Sequence, residues 1–145
     1  MRIAVGSDHA GFHLKEKVAA HLRQRGHDVV DHGTDSTASV DYPDFAAAVA
    51  RDVASGAADR GVVVCGTGQG SAMAANKVKG VRAAVVGDTF SAEMAMAHND
   101  ARVLCLGERV TGPGLAIACV DAWLAAAFEG GRHTQRVAKI DRLEE

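Results

Sequence analysis

The residues between Cys65 and Ser71 combine a reactive thiol with a loop rich in glycine. The glycines stand at Gly66, Gly68 and Gly70. The apolar run Val62–Val64 predicts a buried parallel strand before the loop, and the alanine-rich segment after Ser71 predicts a helix. Amide N–H groups at a helix N-terminus have no partner inside the helix, and the helix dipole adds partial positive charge there. The loop is therefore predicted to bind an anion or a developing oxyanion, with Cys65 and Thr67 at its edge.

Cys65 is the predicted reactive group of this loop. A thiolate at a helix N-terminus is stabilised by the helix dipole. Such a sulfur can act as a nucleophile in acyl transfer, which requires a partner histidine and an oxyanion hole. It can also act as a base beside a carbonyl, which requires donors for the oxygens of an enediolate. The glycine loop suits either chemistry, and the residue pattern leaves both open.

The same glycines allow a nucleotide-binding interpretation. The dinucleotide fingerprint requires a third glycine where Ser71 stands, although Asp88 lies at the end of the next predicted strand, where the ribose-binding acid is expected. The P-loop pattern is absent because no Gly-Lys-Ser or Gly-Lys-Thr follows the loop. A nucleotide-binding or regulatory module therefore stays as an alternative function.

Two other segments carry histidine. Asp8 and His9 follow the first predicted strand, and His13 comes four residues later, but a metal site requires three or four ligands, so we predict no metal ion and no cofactor. His98 precedes Asn99 at a predicted helix end, where it serves either the helix dipole or general acid–base chemistry, since imidazole titrates near neutrality.

Arg132 and Arg136 are four residues apart and share one face of the last predicted helix. A solvated basic face is the simpler interpretation of such a pair. However, Gly130-Gly131 gives this helix a direction of its own, so the two guanidinium groups are placed to hold a phosphate. A terminal helix set apart in this way, predicted over residues 132–143, is also suited to pack on a second subunit.

Strand and helix patterns alternate along the whole chain. The predicted strands are 2–6, a short strand at 29–30, 62–65, 82–86 and 103–107. The predicted helices are 12–25, one from Pro43 to Gly56, one after the glycine loop to about Lys79, one from Asp88 or Thr89 to Asn99, one from Pro113 through Phe128 to Gly130, and 132–143. This order predicts an α/β fold, a three-layer α/β/α sandwich with a five-stranded parallel, Rossmann-like sheet.

In such a fold the loops after the strands gather at one edge of the sheet. Those loops carry Asp8 and His9, Asp41 and Tyr42, Cys65 to Gly70, Asp88, and Arg109. The predicted convergence of these polar residues favours a functional site over a simple connection at the glycine loop.

Composition excludes several classes of protein. The 145 residues include 48% hydrophobic and 23% charged residues, which suits one globular domain with a core. The formal net charge of −2 gives no electrostatic reason to expect nucleic acid or a membrane surface. Cys65, Cys105 and Cys119 show no C-x-x-C spacing, and the chain begins directly with a predicted strand. We therefore expect a reducing, cytoplasmic location without a disulfide framework or a signal peptide.

Six motifs, taken together and in order, resemble the type B ribose-5-phosphate isomerases, a family that includes the galactose-6-phosphate isomerase subunits. The motifs are Ser7-Asp8-His9-Ala10-Gly11-Phe12, Asp41-Tyr42-Pro43, Cys65-Gly66-Thr67-Gly68-x-Gly70, Ala74-Ala75-Asn76-Lys77, His98-Asn99-Asp100 and Glu129-Gly130-Gly131-Arg132-His133-x-x-Arg136. The resemblance covers nearly the whole chain. It implies an aldose–ketose isomerase of phosphorylated sugars that uses no metal, with ribose 5-phosphate and ribulose 5-phosphate as the pair.

The resemblance also implies roles for single residues. Cys65 is similar to the base that moves a proton between C2 and C1 through a cis-enediolate, and Thr67 resembles part of the anion hole. His98, with or without Asp41, resembles the group that opens the furanose ring. The remaining implied substrate contacts are the loop amides of Gly66, Gly68, Gly70 and Ser71, the sugar contacts Asp8, Tyr42 and Asn99, and the phosphate contacts His9, Arg109, Arg132 and Arg136.

One branch of the family has a glutamate base where this chain has Ser71, and because this chain has Cys65 it resembles the cysteine branch. In the family the site lies between two subunits. Because this one chain carries the whole set of residues, two identical chains can build such a site. The resemblance therefore implies a homodimer or a dimer of dimers with shared active sites. A six-carbon substrate such as allose 6-phosphate stays open, since the shape of the loop 33–41 is not readable from its sequence.

Overall fold

In the computed structural model, which describes residues 1–145, five strands alternate with six helices. The strands are β1 (Arg2–Ser7), β2 (Asp28–Asp31), β3 (Arg60–Cys65), β4 (Ala83–Val85) and β5 (Val103–Gly107). The helices are α1 (Phe12–Gln24), α2 (Tyr42–Ser55), α3 (Gln69–Asn76), α4 (Thr89–Asn99), α5 (Pro113–Ala125) and α6 (Arg132–Arg142), with a short 3-10 turn at His9–Gly11. All strand pairs are parallel and the order is β2-β1-β3-β5-β4, which confirms the predicted fold class.

Two apolar cores lie on opposite faces of the sheet. Alternate strand residues face opposite sides, so Ile3 packs with α1, α4 and α5, whereas its neighbour Ala4 packs with α2 and α3. Trp123 of α5 is fully buried in the first core, and its indole N–H donates to the carbonyl of Ala101 at 2.8 Å. The two cores make the sheet the middle layer of three, as predicted.

Two helices end earlier than the sequence predicts. The predicted end of α3 near Lys79 is wrong: the helix ends at Asn76, whose side-chain amide bonds both the N–H and the carbonyl of Ala83. The prediction that α5 continues through Phe128 is also wrong, because the helix ends at Ala125. There the guanidinium of Arg60 donates to the carbonyls of Trp123 and Ala126, which satisfies acceptors that another helical turn would have used.

The loop between β2 and α2 is anchored where it leaves the sheet. Ser7 exchanges two backbone hydrogen bonds of 2.8 Å with Gly33 and Thr34. The ammonium of Lys15, 1% exposed, donates to the carboxylate of Asp31 at 3.0 Å and to the carbonyl of Thr34 at 2.7 Å. These contacts hold the start of the loop beside the end of β1. Its next residues, 35–39, are exposed.

Helix α6 packs on α4 and is held near its C-terminal end by an ion pair of 2.6 Å between Arg82 and Asp141. Its side chains are mostly exposed, with only His133 and Val137 buried.

No helix of the chain combines the length and the apolar character that crossing a membrane requires.

Candidate active site

The carboxyl ends of β1, β3 and β5 bring the predicted polar residues of three loops to one edge of the sheet. Ser7 pairs with Val64, and Cys65 pairs with Gly107, so Asp8 and Arg109 follow the two parallel strands that flank β3. Ligands bind in the crevice outside the carboxyl ends of strands in open α/β sheets. We call this group, with Tyr42 and the glycine loop, the carboxyl-edge site.

The thiol of Cys65 lies at the base of the glycine loop. It is 5% exposed, and its Sγ accepts the amide N–H of Gly68 at 3.2 Å. Gly68 has φ +84°, a conformation that L side chains rarely adopt, and it stands immediately before the first residue of α3. The sulfur therefore lies against an amide N–H at the N-terminal end of α3.

The loop that follows Cys65 contains unused donors. No atom of the chain accepts the amide N–H groups of four residues of the loop and of the first turn of α3. These residues are Gly66, Thr67, Gly70 and Ser71. The hydroxyl of Thr67 accepts the N–H of Gln69 at 3.3 Å. The arrangement matches the donors that stabilise an oxyanion.

Close packing explains two of the glycines around this loop. A Cβ on Gly107 would lie 2.6 Å from the Cα of Thr67, and a Cβ on Gly70 would overlap the ring of Tyr42. A Cβ on Gly66 would instead make an ordinary contact of 3.5 Å with the guanidinium of Arg109, whose backbone N–H bonds the carbonyl of Gly66. The loop is thus enclosed by β5, the start of α2 and Arg109.

The β1 loop contributes an acid and a histidine. Asp8 is 6% exposed, and its Oδ1 accepts the N–H of Gly11 at 3.1 Å, so it also caps the short turn that precedes α1. Nδ1 of His9 lies 3.1 Å from the amide nitrogen and 3.2 Å from the carbonyl oxygen of Val40, so it accepts from the first or donates to the second according to the tautomer of the ring. Asp41 stands exposed at the start of α2, and its side chain makes no capping bond to the helix.

The remaining predicted residues lie at the opposite edge of the sheet. His98 and Asn99 end α4, which runs antiparallel to the strands, and Arg132 and Arg136 stand on the first turns of α6. The five or six residues of a strand separate the two edges by about 15–20 Å at ~3.3 Å per residue. Within one chain, therefore, His98 lies far from the carboxyl-edge site, and it does not meet Asp41.

A second cluster, the amino-edge cluster, consists of His98, Glu129, Arg132, His133 and Arg136. The Nε2 atom of His98 lies 3.3 Å from Oε1 of Glu129, and the rings of His98 and His133 stack with centroids 4.2 Å apart. Desolvation, the nearby His98 and then Arg132 lower the pKa of His133. Glu129 and His133 were not predicted as members of a site, although the spacing of His133 and Val137 on one face of α6 marks a buried side of that helix.

Metal ligation is not favoured at either edge. Asp8, His9 and His13 do not bring their ligand atoms together, whereas those of His98, Glu129 and His133 lie within 4.8 Å of one another. Two arginines adjoin that second group on α6, and their charge disfavours a cation and favours an anion there.

Of two other predicted residues, Asp88 has a hydrogen-bond partner in its own helix, and the hydroxyl of Ser71 has no partner. Asp88 caps α4, where it accepts the N–H of Ser91 at 2.7 Å, and this hydrogen bond lowers its pKa. This capping role accounts for Asp88 without a nucleotide ribose. Ser71 is fully buried and its hydroxyl has no hydrogen-bond partner in the chain.

Comparison with known proteins gives consistent results. The family model described as Ribose/Galactose Isomerase matches residues 3–140. A ribose-5-phosphate isomerase B of Escherichia coli is 50% identical over 144 residues, which cover 99% of this chain and 97% of that protein.

Solved structures agree with the sequence match. The ribose-5-phosphate isomerase B of Clostridium thermocellum superposes with a TM-score of 0.98 at 54% identity, covering 99% of this chain and 97% of the other. The ribose-5-phosphate isomerase B of Mycoplasma genitalium, whose structure holds bound ribulose-5-phosphate, superposes with a TM-score of 0.95 at 46% identity, covering 99% and 95%.

Proposed function

The chain belongs to the ribose/galactose isomerase family, and on that premise we propose that it interconverts ribose 5-phosphate and ribulose 5-phosphate with Cys65 as the base. The observation that carries the proposal is the position of the Cys65 sulfur at the base of a loop with four unused amide donors, two before α3 and two in its first turn. The relative with bound ribulose-5-phosphate supports a phosphosugar as the ligand.

The proposed reaction moves one proton between two carbons. The Cys65 thiolate takes the proton from C2 of the open-chain aldose, and the electron pair forms the C1=C2 bond of a cis-enediolate. The negative oxygen on C1 accepts the free N–H groups of the loop, such as that of Thr67. The thiol then returns a proton to C1 and the hydroxyl proton on O2 moves to O1, which yields the ketose.

The two edges of the sheet suggest how the phosphate and the ring are handled. Because the amino-edge cluster lies about 15–20 Å from Cys65 in the same chain, we propose that it completes the carboxyl-edge site of a second copy. In that arrangement the second copy supplies His98 to open the ring, and its Arg132 and Arg136 join His9 and Arg109 around the phosphate. The proposed assembly is a homodimer, or a dimer of dimers, with shared sites. Helix α6 is the segment that packs on the partner.

The shared site is testable with two defective chains. Cys65→Ala and the double variant Arg132→Ala/Arg136→Ala are each expected to be inactive as pure assemblies. Co-expressed with different affinity tags and purified as the mixed dimer, they are expected to regain about half of the wild-type rate, because one of the two sites is then intact. A mixed dimer without activity would refute the shared site.

The reaction itself is tested with the wild-type protein, excess chelator and ribose 5-phosphate. The proposal expects formation of ribulose 5-phosphate at an unchanged rate with and without chelator, since no step uses a metal. Conversion of allose 6-phosphate but not of ribose 5-phosphate would instead assign a six-carbon substrate. Inactivity on both sugars would refute the isomerase proposal.

A further inference from the structure

Glu129 lies beside the imidazole to which ring opening is assigned. We propose that Glu129 is a positioning residue for His98. Its carboxylate keeps Nε2 of the His98 ring turned toward it, so that Nδ1 accepts and returns the proton of the substrate. The proposal rests on the proposed function, because it deepens the role of His98 in opening the furanose ring. It assigns a role to a residue that contacts neither the glycine loop nor Cys65.

The backbone of Glu129 is anchored to the helix that carries His98. Its N–H donates to the carbonyl of Ala97 at 2.9 Å, so the residue is fixed to the last turn of α4, next to His98. Gly130 and Gly131 follow with φ of +68° and +56°, and they turn the chain into α6. The position of the carboxylate near the ring therefore does not depend on the mobility of a free loop.

The carboxylate of Glu129 lies next to one nitrogen of the His98 ring. Its Oε1 is 3.3 Å from Nε2, an ion-pair contact without the alignment of a hydrogen bond, and Nδ1 has no hydrogen-bond partner in the chain. A carboxylate beside one ring nitrogen favours the tautomer that carries the proton on that nitrogen. Neutral His98 thus has its lone pair on Nδ1, the nitrogen that is free to meet a substrate.

The ring of His133 restrains the ring of His98. The imidazole of His133 stacks on it with centroids 4.2 Å apart and planes 12° apart, and His133 is itself 8% exposed. The stack restricts rotation of His98 out of the plane that faces Glu129. Together the two neighbours define both the plane of the ring and the nitrogen that is exposed.

Ring opening with this geometry balances without any other group. Nδ1 of His98 takes the proton from the hydroxyl on C1, the C1–O4 bond breaks as the C1=O1 bond forms, and the imidazolium returns the same proton to O4. The carboxylate of Glu129 stabilises the imidazolium between the two transfers. No proton needs to be exchanged with Glu129.

The test separates ring opening from proton transfer at carbon. Ribose 5-phosphate is a furanose that must open, whereas ribulose 5-phosphate is acyclic because its O5 carries the phosphate. We expect Glu129→Leu to lower the kcat for ribose 5-phosphate about tenfold or more, with KM changed less than about threefold. Deuterium uptake from D2O at C1 of ribulose 5-phosphate is expected to stay within about twofold of the wild-type rate.

Two variants control the experiment. Glu129→Gln keeps an acceptor oxygen beside Nε2 and is expected to retain more of the ribose 5-phosphate rate than Glu129→Leu. Glu93→Gln, an exposed glutamate on the same helix as His98, is expected to match the wild type in every rate. Equal losses in both reactions, or no loss in either, would overturn the positioning role. A wild-type chain inactive on both sugars would refute the proposed function and this role with it.

A readout without substrate tests the tautomer directly. Nitrogen-15 NMR of the imidazoles is expected to show His98 protonated on Nε2 in the neutral wild-type protein, and a mixture of tautomers in Glu129→Leu. A wild-type His98 with its proton on Nδ1 would contradict the proposal even if the enzyme is fully active.

Discussion

Gly107 is the residue through which β5 supports the glycine loop, and replacing it with alanine tests that support. Its Cβ would lie 2.6 Å from both Cα and C of Thr67 and 2.7 Å from its carbonyl oxygen. Ordinary carbon contacts are about 3.5–4.0 Å, so the Thr67 backbone has to move by about 1 Å. These neighbours are backbone atoms, which cannot rotate away as the end of a side chain would.

The expected cost of Gly107→Ala follows from this overlap. Overpacking of a close-packed site typically destabilises by about 1–3 kcal/mol, and urea unfolding measures this loss in the free energy of unfolding. A displacement of about 1 Å at the donors of the oxyanion is expected to lower kcat about 100-fold. The activity loss should be larger than the loss of stability suggests, because Thr67 carries one of the unused amides.

Gly114→Ala is the matched control for this substitution. Gly114 lies in α5, and a Cβ there would have no atom within 4 Å, so alanine meets only open space. Alanine is a better helix former than glycine, and the control is expected to stabilise the protein by about 0.5–1 kcal/mol with unchanged kcat. If Gly107→Ala were as active and as stable as Gly114→Ala, the inferred packing of β5 against Thr67 would be wrong.

Three further predictions concern stability. Lys15→Met removes the buried ammonium that pairs with Asp31 and donates to the carbonyl of Thr34. It is expected to lower the free energy of unfolding in urea by about 1–3 kcal/mol, since the buried carbonyl loses its donor, whereas Asp31 keeps the N–H of Gly33; an unchanged midpoint would contradict this. Asp88→Ala removes the N-cap of α4 and is expected to cost about 1 kcal/mol in the same assay, whereas a stabilised variant would show that the cap is not needed. Burial lowers the pKa values of His27 and His133 in the folded protein, so the unfolded chain binds more protons below the ordinary pKa of about 6.5. Stability is therefore expected to fall as the pH decreases through and below that value. Replacing both histidines with glutamine should flatten this dependence of stability on pH, as measured by thermal unfolding at a series of pH values. An equal slope in the variant would refute the assignment.

Local sequence signals were sufficient for the type and order of the elements and for the position of the glycine loop between β3 and α3. The glycines between Cys65 and Ser71 and the alternation of apolar segments each act over a few residues, and the structure places them as the pattern predicts. The end of α5 was not predictable in this way, because it depends on Arg60, which is more than 60 residues away along the chain. Pairing of β5 between β3 and β4 is likewise a long-range property.

The amino-edge cluster shows a different limit of the sequence. Arg132 and Arg136 were identifiable from their spacing, and His98 from its place at a helix end. The contact between His98 and Glu129 was not, because it depends on how the turn at Gly130-Gly131 returns the chain to α4. Only the folded chain shows that this cluster and Cys65 lie at opposite edges of the sheet.

The central claim is that the Cys65 sulfur is the base, and the most direct measurement is deuterium uptake at C1 of ribulose 5-phosphate in D2O by wild type and Cys65→Ala. Calorimetry of ribulose 5-phosphate binding to both proteins accompanies it. The account predicts uptake by the wild type and a loss of at least about 100-fold in the variant, with binding retained within about tenfold. Uptake by Cys65→Ala at a rate near that of the wild type would contradict the account and assign the proton transfer to another group.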